Sequence, residues 1–382
     1  MIKLCSIQPV AERGGSDQAL LRMVRSLPRP EFECHVVVPA EPPLRGDFEA
    51  AGVEVHVLPM RRISRSHGLR DWVGYALAWP FTVIRLARLV RRLNVDVVHT
   101  NSFHSWYGWA AALLAHRPHV WHGREIVVQS NAALAVERFL IPRFSARVLS
   151  MSHAIADQLD GVDVVVVHET PDPHEFSPER AGRFRARIPI DDGVLLVGAA
   201  GRIDSWKGVD VLLDAFERVR ASRGDVELVV AGGPVRGKEP LFESLAATAR
   251  AIPGVHWLGA RDDIAELLAD LDLFVLPSTE PEPYGLVLVE ALMSGAPVVA
   301  TDAGGPREIV TEATPGSGQL VPVADRAALA AAVLAALEGR RETTAALRAA
   351  RPSLRAAEPE RFAAIFRAVV DSDTRKSGRS LR

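Results

Sequence analysis

Residues 273–300 read LFVLPSTEPEPYGLVLVEALMSGAPVVA. The apolar run 273–276 ends at Pro277 and reads as a buried strand. Residues 286–294 read as a helix and 298–300 as the next strand. Strand, helix, strand is the repeating unit of a parallel sheet covered on both faces. At 3.6 residues per turn, Glu282 falls in the loop and Glu290 about one and a half turns into the helix. Glu290 stands among Leu288, Val289, Ala291 and Leu292, and a carboxylate in that company needs a partner.

The same alternation extends outward. Around this unit, strands are expected at 194–199, 226–231 and 255–258, with helices at 209–221, 239–251 and 264–268, and later helices at 326–337 and 360–370. A first series precedes it. Strands are expected at 2–8, 34–39, 53–58, 95–100, 119–122, 147–150 and 162–168. Helices are expected at 16–27, 69–93, 106–115, 134–139 and 154–159. Between the series, residues 170–192 are rich in Pro, Arg and Asp and have no core-like run. The expected plan is α/β with two Rossmann-like domains, 1–170 and 193–356, joined by a linker over 171–192 and ending in a polar tail over 372–382. Ligands of such sheets sit beyond the carboxyl ends of the strands, so a cleft between facing domains is the expected site.

Composition narrows the function. The 382 residues are 48% hydrophobic and 24% charged, as in folded globular chains, and the formal net charge is −2. A chain-wide basic field for nucleic acid is absent. Cys5 and Cys34 are too few for a disulfide framework and suit a reducing cytoplasm. The apolar, uncharged stretch 72–84 is short of the ~18 residues expected of a membrane-crossing helix. Residues 1–190 hold 23 Lys and Arg against 19 Asp and Glu, a formal +4; the remainder hold 22 against 28, a formal −6. Arg61, Arg62, Arg65 and Arg70, then Arg85, Arg88, Arg91 and Arg92, form basic clusters. They read either as a solvated helix face or as a surface for an anionic lipid or acceptor.

Four strand-to-helix turns carry candidate chemistry. Gly14 and Gly15 precede a helix whose N-cap is read as Ser16, and a helix N-terminus favours an anion. Arg202 and Lys207 bracket the turn after the strand 194–199; Lys207 is one of only four lysines, and such a pair can neutralise a diphosphate. The third turn is 277–285 with Glu282 and Glu290, where carboxylates suit hydroxyl-rich ligands and free N–H groups suit phosphate. The fourth follows His122 in Trp121-His122-Gly123-Arg124-Glu125. Each also has a plainer reading as a tight turn, a salt-bridged loop or a packed histidine.

On these residues the chain resembles the family 4 glycosyltransferases of the GT-B fold. Glu282 and Glu290 match that family's Glu-x7-Glu motif, Gly201-Arg202 to Lys207-Gly208 its phosphate loop, and Gly14-Gly15 its N-terminal glycine turn. The likeness runs from Ile2 to about Val370. It implies a first domain that binds the acceptor and is completed by a C-terminal helix within 357–371, and a second domain that binds the donor. Arg202 and Lys207 would hold the donor diphosphate, Glu290 the ribose hydroxyls and Glu282 the sugar hydroxyls. The main chain of Tyr284, Gly285 and Leu286 would bind phosphate or sugar. Gly14 and Gly15 would approach the phosphate and acceptor, His122 would stand by the reacting end of the sugar, and Arg261 would border the base pocket. Two departures stand out: Glu169-Thr-Pro-Asp172 replaces the family's Asn-Gly-Val-Asp, and Asn101 replaces a second His.

The resemblance implies a retaining transfer from a UDP- or GDP-sugar to a hydroxyl acceptor, possible for a lipid-linked or polysaccharide intermediate. No cofactor, metal or nucleic acid is expected, and the setting is cytoplasmic or at the inner membrane face. Asp270-Leu-Asp272 resembles an Asp-x-Asp metal motif, but Asp272 opens a buried strand. The rival readings are a sugar-nucleotide epimerase or phosphorylase on the same plan, and a non-catalytic partner that binds a sugar nucleotide.

Overall fold

In the computed structural model, β1 (Ile2–Ile7) pairs in parallel on both sides, with β2 (Phe32–Val38) and with β4 (Val97–Thr100). Adding β3 (Glu54–Val57), β5 (His119–Gly123), β6 (Arg147–Ser150) and β7 (Val164–Val166) gives a parallel sheet ordered β3-β2-β1-β4-β5-β6-β7. Its strands are apolar on both sides because both faces are covered. Leu4, Val97 and Val120 face the helices Gly15–Ser26 and Pro359–Ser377. Cys5, Ile7 and Val98 face the helices Leu69–Arg92 and Tyr107–Ala115.

A second sheet comprises β8 (Leu195–Ala200), β9 (Val226–Ala231), β10 (Val255–Gly259), β11 (Leu273–Leu276), β12 (Val298–Thr301) and β13 (Gly318–Val321). Its order is β10-β9-β8-β11-β12-β13, again parallel. Val197, Leu228, Val275 and Val299 pack with the helices Val209–Ser222 and Arg326–Glu338. The chain divides into two units, Met1–Glu169 with Glu358–Arg382, and Thr170–Ala357. The structure describes all residues except 13, 62–67, 127–130, 189, 192, 341–342, 344–346, 348–358 and 378–382. Arg62 and Arg65 of the basic cluster therefore lie outside the described residues.

Three expectations change. The stretch 170–192 groups with the second unit, because Asp270 gathers it in. The Asp270 carboxylate accepts the backbone N–H groups of Phe184 and Arg185, both at 2.8 Å, and that of Gly182. The Arg185 side chain then reaches Asp272 at 3.0 Å. β13 was not expected: it is a half-buried edge strand opening at a glycine, with no continuous apolar run. The C-terminal helix runs on to Ser377, into the stretch expected as a tail.

The long helix also differs. By length and composition Arg70–Arg92 is the one helix, among the described residues, that could cross a membrane. The uncharged stretch 72–84 is shorter because it stops at Arg85, whereas the helix continues through Arg85 and Arg88. The helix nonetheless packs Val83, Leu86, Ala87 and Val90 into the core of the first unit.

Asp270 holds charge-assisted bonds that no apolar side chain can replace. Asp270→Ala is expected to destabilise the fold by about 3 kcal/mol, the cost of leaving buried N–H groups without an acceptor. A urea denaturation midpoint indistinguishable from wild type would refute that anchoring role.

Candidate functional site

In a parallel sheet the carboxyl ends of the strands share one rim, and ligands gather where strand order reverses. In the second unit the reversal lies between β8 and β11. The loops that follow these strands, 201–208 and 277–285, hold Arg202, Lys207, Glu282, Tyr284 and Gly285. They meet backbone to backbone: Thr279 N–H donates to the Trp206 carbonyl at 2.7 Å. A Cβ at residue 208 would stand 2.0 Å from the Pro277 carbonyl oxygen, and Gly208 has φ +66°, so only glycine fits.

The charged groups then converge. Lys207 Nζ lies 2.8 Å from both Glu282 oxygens and 4.1 Å from the centre of the Trp206 ring. Ser278 Oγ donates to Glu282 Oε2 at 2.8 Å. The Glu282 main chain is fixed too, with its N–H on the Ala303 carbonyl and its own carbonyl receiving Gly305 N–H. That seating needs Gly304 (φ +79°), where a Cβ would meet the Glu282 oxygen at 2.2 Å. The lysine and carboxylate, expected to hold different parts of a ligand, thus hold each other. Glu282 is buried and Lys207 half-buried, and each side chain fixes the direction of the other.

After Glu282 the chain buries the Tyr284 side chain, where burial, then the nearby Glu308, pushes the phenol upward. It turns at Gly285 (φ +93°) into the helix Leu286–Ser294, whose first N–H groups have no partners within the helix. Glu290 is only half-buried, which corrects the expectation of an apolar setting. Helical phase puts Leu288, Val289, Ala291 and Leu292 in the core and leaves Leu286, Val287 and Glu290 on the outer face. Arg202 is exposed beside this group of loops. Arg261, after β10, is engaged by the Asp263 carboxylate at 2.6 and 2.7 Å.

The first unit repeats the device at its own reversal, between β1 and β4. Asn101 Nδ2 donates to Gln8 Oε1 at 2.7 Å, and Gln8 Nε2 to Ser16 Oγ at 3.0 Å. With its hydroxyl so occupied, Ser16 sits inside the helix and the N-cap is Gly14, a correction to the reading above. Among the described residues, apart from its chain neighbours and its own helix backbone, no atom lies within 4 Å of where a Cβ of Gly15 would stand. Asp17, in the first turn, is buried with Oδ2 unpartnered, and burial is the main reason its carboxyl is pushed up to about 7.

His122 is corrected more sharply. It is fully buried, on the same sheet face as Leu4 and Val120, with its ring 5.8 Å from Phe362 of the C-terminal helix and Nδ1 3.3 Å from His99 Nε2. Burial, then Arg124, then the neighbouring histidine hold it well below the usual imidazole range, so it is neutral at pH 7. It faces the core because strand alternation sends Trp121 and His122 to opposite faces. The residue of this turn that sequence reasoning passed over is Arg124. Its Nε donates to Asn101 Oδ1 at 2.7 Å, and its Nη1 bonds Glu169. Both departures from the family pattern, Asn101 and Glu169, are therefore partners of one buried arginine. Ser278, Trp206 and Gly304 were also missed.

As for cations, the Asp270 and Asp272 carboxylates are committed to the backbone and to Arg185, with Asp272 also accepting Leu196 N–H at 2.8 Å. In the first unit His35, Glu54 and His56 could together hold a metal. His35 there contacts Glu33 at 3.0 Å and Glu54 at 3.3 Å, one through each ring nitrogen.

Two family models match the chain: "Glycosyl transferase 4-like domain" over residues 14–171 and "Glycosyl transferases group 1" over 194–339. A GDP-mannose-dependent alpha-mannosyltransferase of Mycobacterium tuberculosis is 30% identical over 331 residues, covering 81% of each chain. A D-inositol 3-phosphate glycosyltransferase of Xylanimonas cellulosilytica is 29% identical over 378 residues, 88% of this chain and 86% of that one. Among solved structures, Anabaena HepE, crystallised with UDP and glucose, superposes with a TM-score of 0.80 at 23% identity over 100% of both chains. WaaG, a glycosyltransferase involved in lipopolysaccharide biosynthesis, gives 0.66 at 19% identity over 96% of this chain and 99% of that one.

Asp17 yields a pH signature. Its folded carboxyl binds a proton more tightly than the unfolded one, so its contribution to stability is complete below about pH 4 and lost as pH rises through about 7. Asp17→Asn is expected to remove that loss, so urea midpoints of wild type and variant should diverge between pH 4 and 7. Parallel pH profiles would exclude a buried, proton-binding Asp17.

Proposed function

The chain belongs to family 4 of the glycosyltransferases and has the GT-B fold, and from that premise we propose that it moves a sugar, with retention of anomeric configuration, from a nucleoside-diphosphate sugar to a hydroxyl acceptor. The observation that carries this reading is the Lys207–Glu282–Ser278 cluster, set at the strand-order reversal beside a helix start. The donor is a GDP- or UDP-sugar. The mannosyltransferase relative supports GDP-mannose as the first candidate, and the UDP complexes of HepE make UDP-glucose the second.

The chemistry follows from charge. The anomeric C–O bond to the diphosphate breaks, and negative charge collects on the leaving group. Arg202, Lys207 and the N–H groups at Gly285, Leu286 and Val287 are the preorganised positive field for that charge. The acceptor oxygen attacks from the same face, and its proton passes to an oxygen of the leaving diphosphate. Glu282 aims Lys207 and accepts from sugar hydroxyls, while Glu290, on the outer helix face with Leu286 and Val287, accepts from the ribose hydroxyls. Gly14 and Gly15 supply the open backbone at which the acceptor and phosphate draw near. His122, in the core, acts only by shaping the floor of the first unit. The acceptor is a lipid-linked or polysaccharide intermediate, and the reaction is cytoplasmic, in keeping with two buried free cysteines.

The test is calorimetric binding of a panel of GDP- and UDP-sugars, followed by product analysis. Glu290→Ala is expected to weaken donor binding about 10- to 100-fold, the worth of a hydrogen bond to a charged group. Glu282→Gln should leave donor affinity nearly unchanged and lower kcat about 100-fold, as for loss of one preorganised group. Unaltered kinetics in both variants would overturn the site. Because arginine, lysine and helix start supply the positive field, turnover should persist in EDTA; a loss restored by Mg²⁺ would reassign that role.

A further inference from the structure

Twelve large apolar side chains are exposed among the described residues, and nine of them fall on three helices of the first unit. Five are on Leu69–Arg92: Trp72, Val73, Leu77, Phe81 and Ile84. Positions 73, 77, 81 and 84 recur at helical spacing, so they form one stripe along the side opposite Val83, Leu86 and Val90 in the core. Leu77 and Phe81 are 67% and 69% exposed, the highest values on the stripe. Leu113 and Leu114 add to it from the helix Tyr107–Ala115, and Val136 and Phe139 from the helix Asn131–Phe144.

The three helices are side by side. Trp109 stacks on Phe144 with ring centres 4.4 Å apart and lies 6.1 Å from Trp79, so one tryptophan joins all three. Trp79 Nε1 also donates to the Trp106 carbonyl at 3.3 Å, and Arg91 bonds the Leu114 carbonyl. The exposed apolar side chains therefore lie on three adjoining helices, and scattered single exposures do not explain them.

Apart from Asp71, the exposed charge on these helices is positive. Beyond Ile84 the long helix continues with exposed Arg85, Arg88, Arg91 and Arg92, and Arg70 begins it. Arg143 lies 3.9 Å over the Phe139 ring on the third helix. The acidic residues on these helices are Asp71, which caps Gly68, and Glu137, which is buried against His104. An apolar stripe with tryptophan at one end and arginines at the other matches the boundary of an anionic bilayer, where rings and acyl chains meet headgroup phosphates.

We propose that this three-helix face of the first unit docks on an anionic lipid surface, with Leu77 and Phe81 entering the acyl boundary and Arg85, Arg88 and Arg92 meeting the headgroups. The helix lies along the membrane and does not cross it, since its other side is part of the sheet's core. Charge selects the occupant: a second copy of the chain would bring the same arginines against themselves. The proposal goes beyond the transferase reading and does not depend on it, because docking is measured without turnover.

The experiment is flotation of the full chain with vesicles of phosphatidylcholine alone or with phosphatidylglycerol at one third of the lipid, in low and high salt. Binding is expected only with the anionic vesicles. Arg85→Ala/Arg88→Ala should weaken it about 25-fold, at about fivefold per arginine, and flatten the salt dependence. Leu77→Ser/Phe81→Ser should abolish it while leaving thermal unfolding and nucleotide-sugar binding as in wild type, since both side chains are exposed. Equal binding to both vesicle types, no binding to either, or a Leu77→Ser/Phe81→Ser protein that still floats would each overturn the proposal. So would a concentration-dependent dimer in sedimentation that the same double variant dissolves. Loss of donor binding with intact flotation would instead count against the transferase reading alone.

Discussion

The second unit is organised around one ion pair. Lys207 and Glu282 come from loops that leave adjacent strands in opposite directions, and no main-chain ladder joins those loops along their length. Beside the bond from Thr279 N–H to the Trp206 carbonyl, what joins them is a lysine nitrogen placed evenly between two carboxylate oxygens, with a serine hydroxyl on one of them. The arrangement is affordable because neither charge is left in a dry interior: both keep some exposure, and each is the other's partner. Two glycines make it sterically possible, since any Cβ at 208 or 304 would meet a carbonyl oxygen within about two ångströms. Remove the pair and the loops lose the reason to hold their shape beside the helix that begins at Leu286.

The first unit solves the same problem with neutral groups and one buried arginine. Gln8, Ser16 and Asn101 bridge the reversal between β1 and β4, and Arg124 reaches from β5 to Asn101 and to Glu169. A buried guanidinium needs a buried carboxylate, so Glu169 and Arg124 form a matched pair. The histidines His99 and His122 sit on the other side of that arginine, in the apolar layer against Phe362 and Phe366, and stay uncharged there. Polar groups at the rim and imidazoles in the floor are thus separated by a single strand alternation.

One helix carries two unrelated demands. Leu69–Arg92 must cover the sheet with Val83, Leu86 and Val90, and its opposite side presents Leu77 and Phe81 outward. Its length and composition would allow a span, but its other side is part of the core of the first unit. That double character is the basis of the docking proposed above.

Much of this was legible in residue order. Period-2 and period-3.6 patterns located nearly every strand and helix, and restarting the pattern at Val194 announced two units. Lys207, Glu282 and Glu290 stood out as chemistry because charged residues next to strand ends rarely serve packing alone. Spacing could not say which face a residue takes. The phase of the helix Leu286–Ser294, set by which residues the sheet buries, put Glu290 outside. Alternation along β5 put His122 inside. Contacts distant in sequence escaped altogether: Asp270 with Phe184, Arg124 with Glu169, Lys207 with Glu282. Local patterns are written by the backbone's own periods, so the chain alone determined elements and class. Pairings between distant side chains depend on where the packed sheets bring them, and only the tertiary structure decided those.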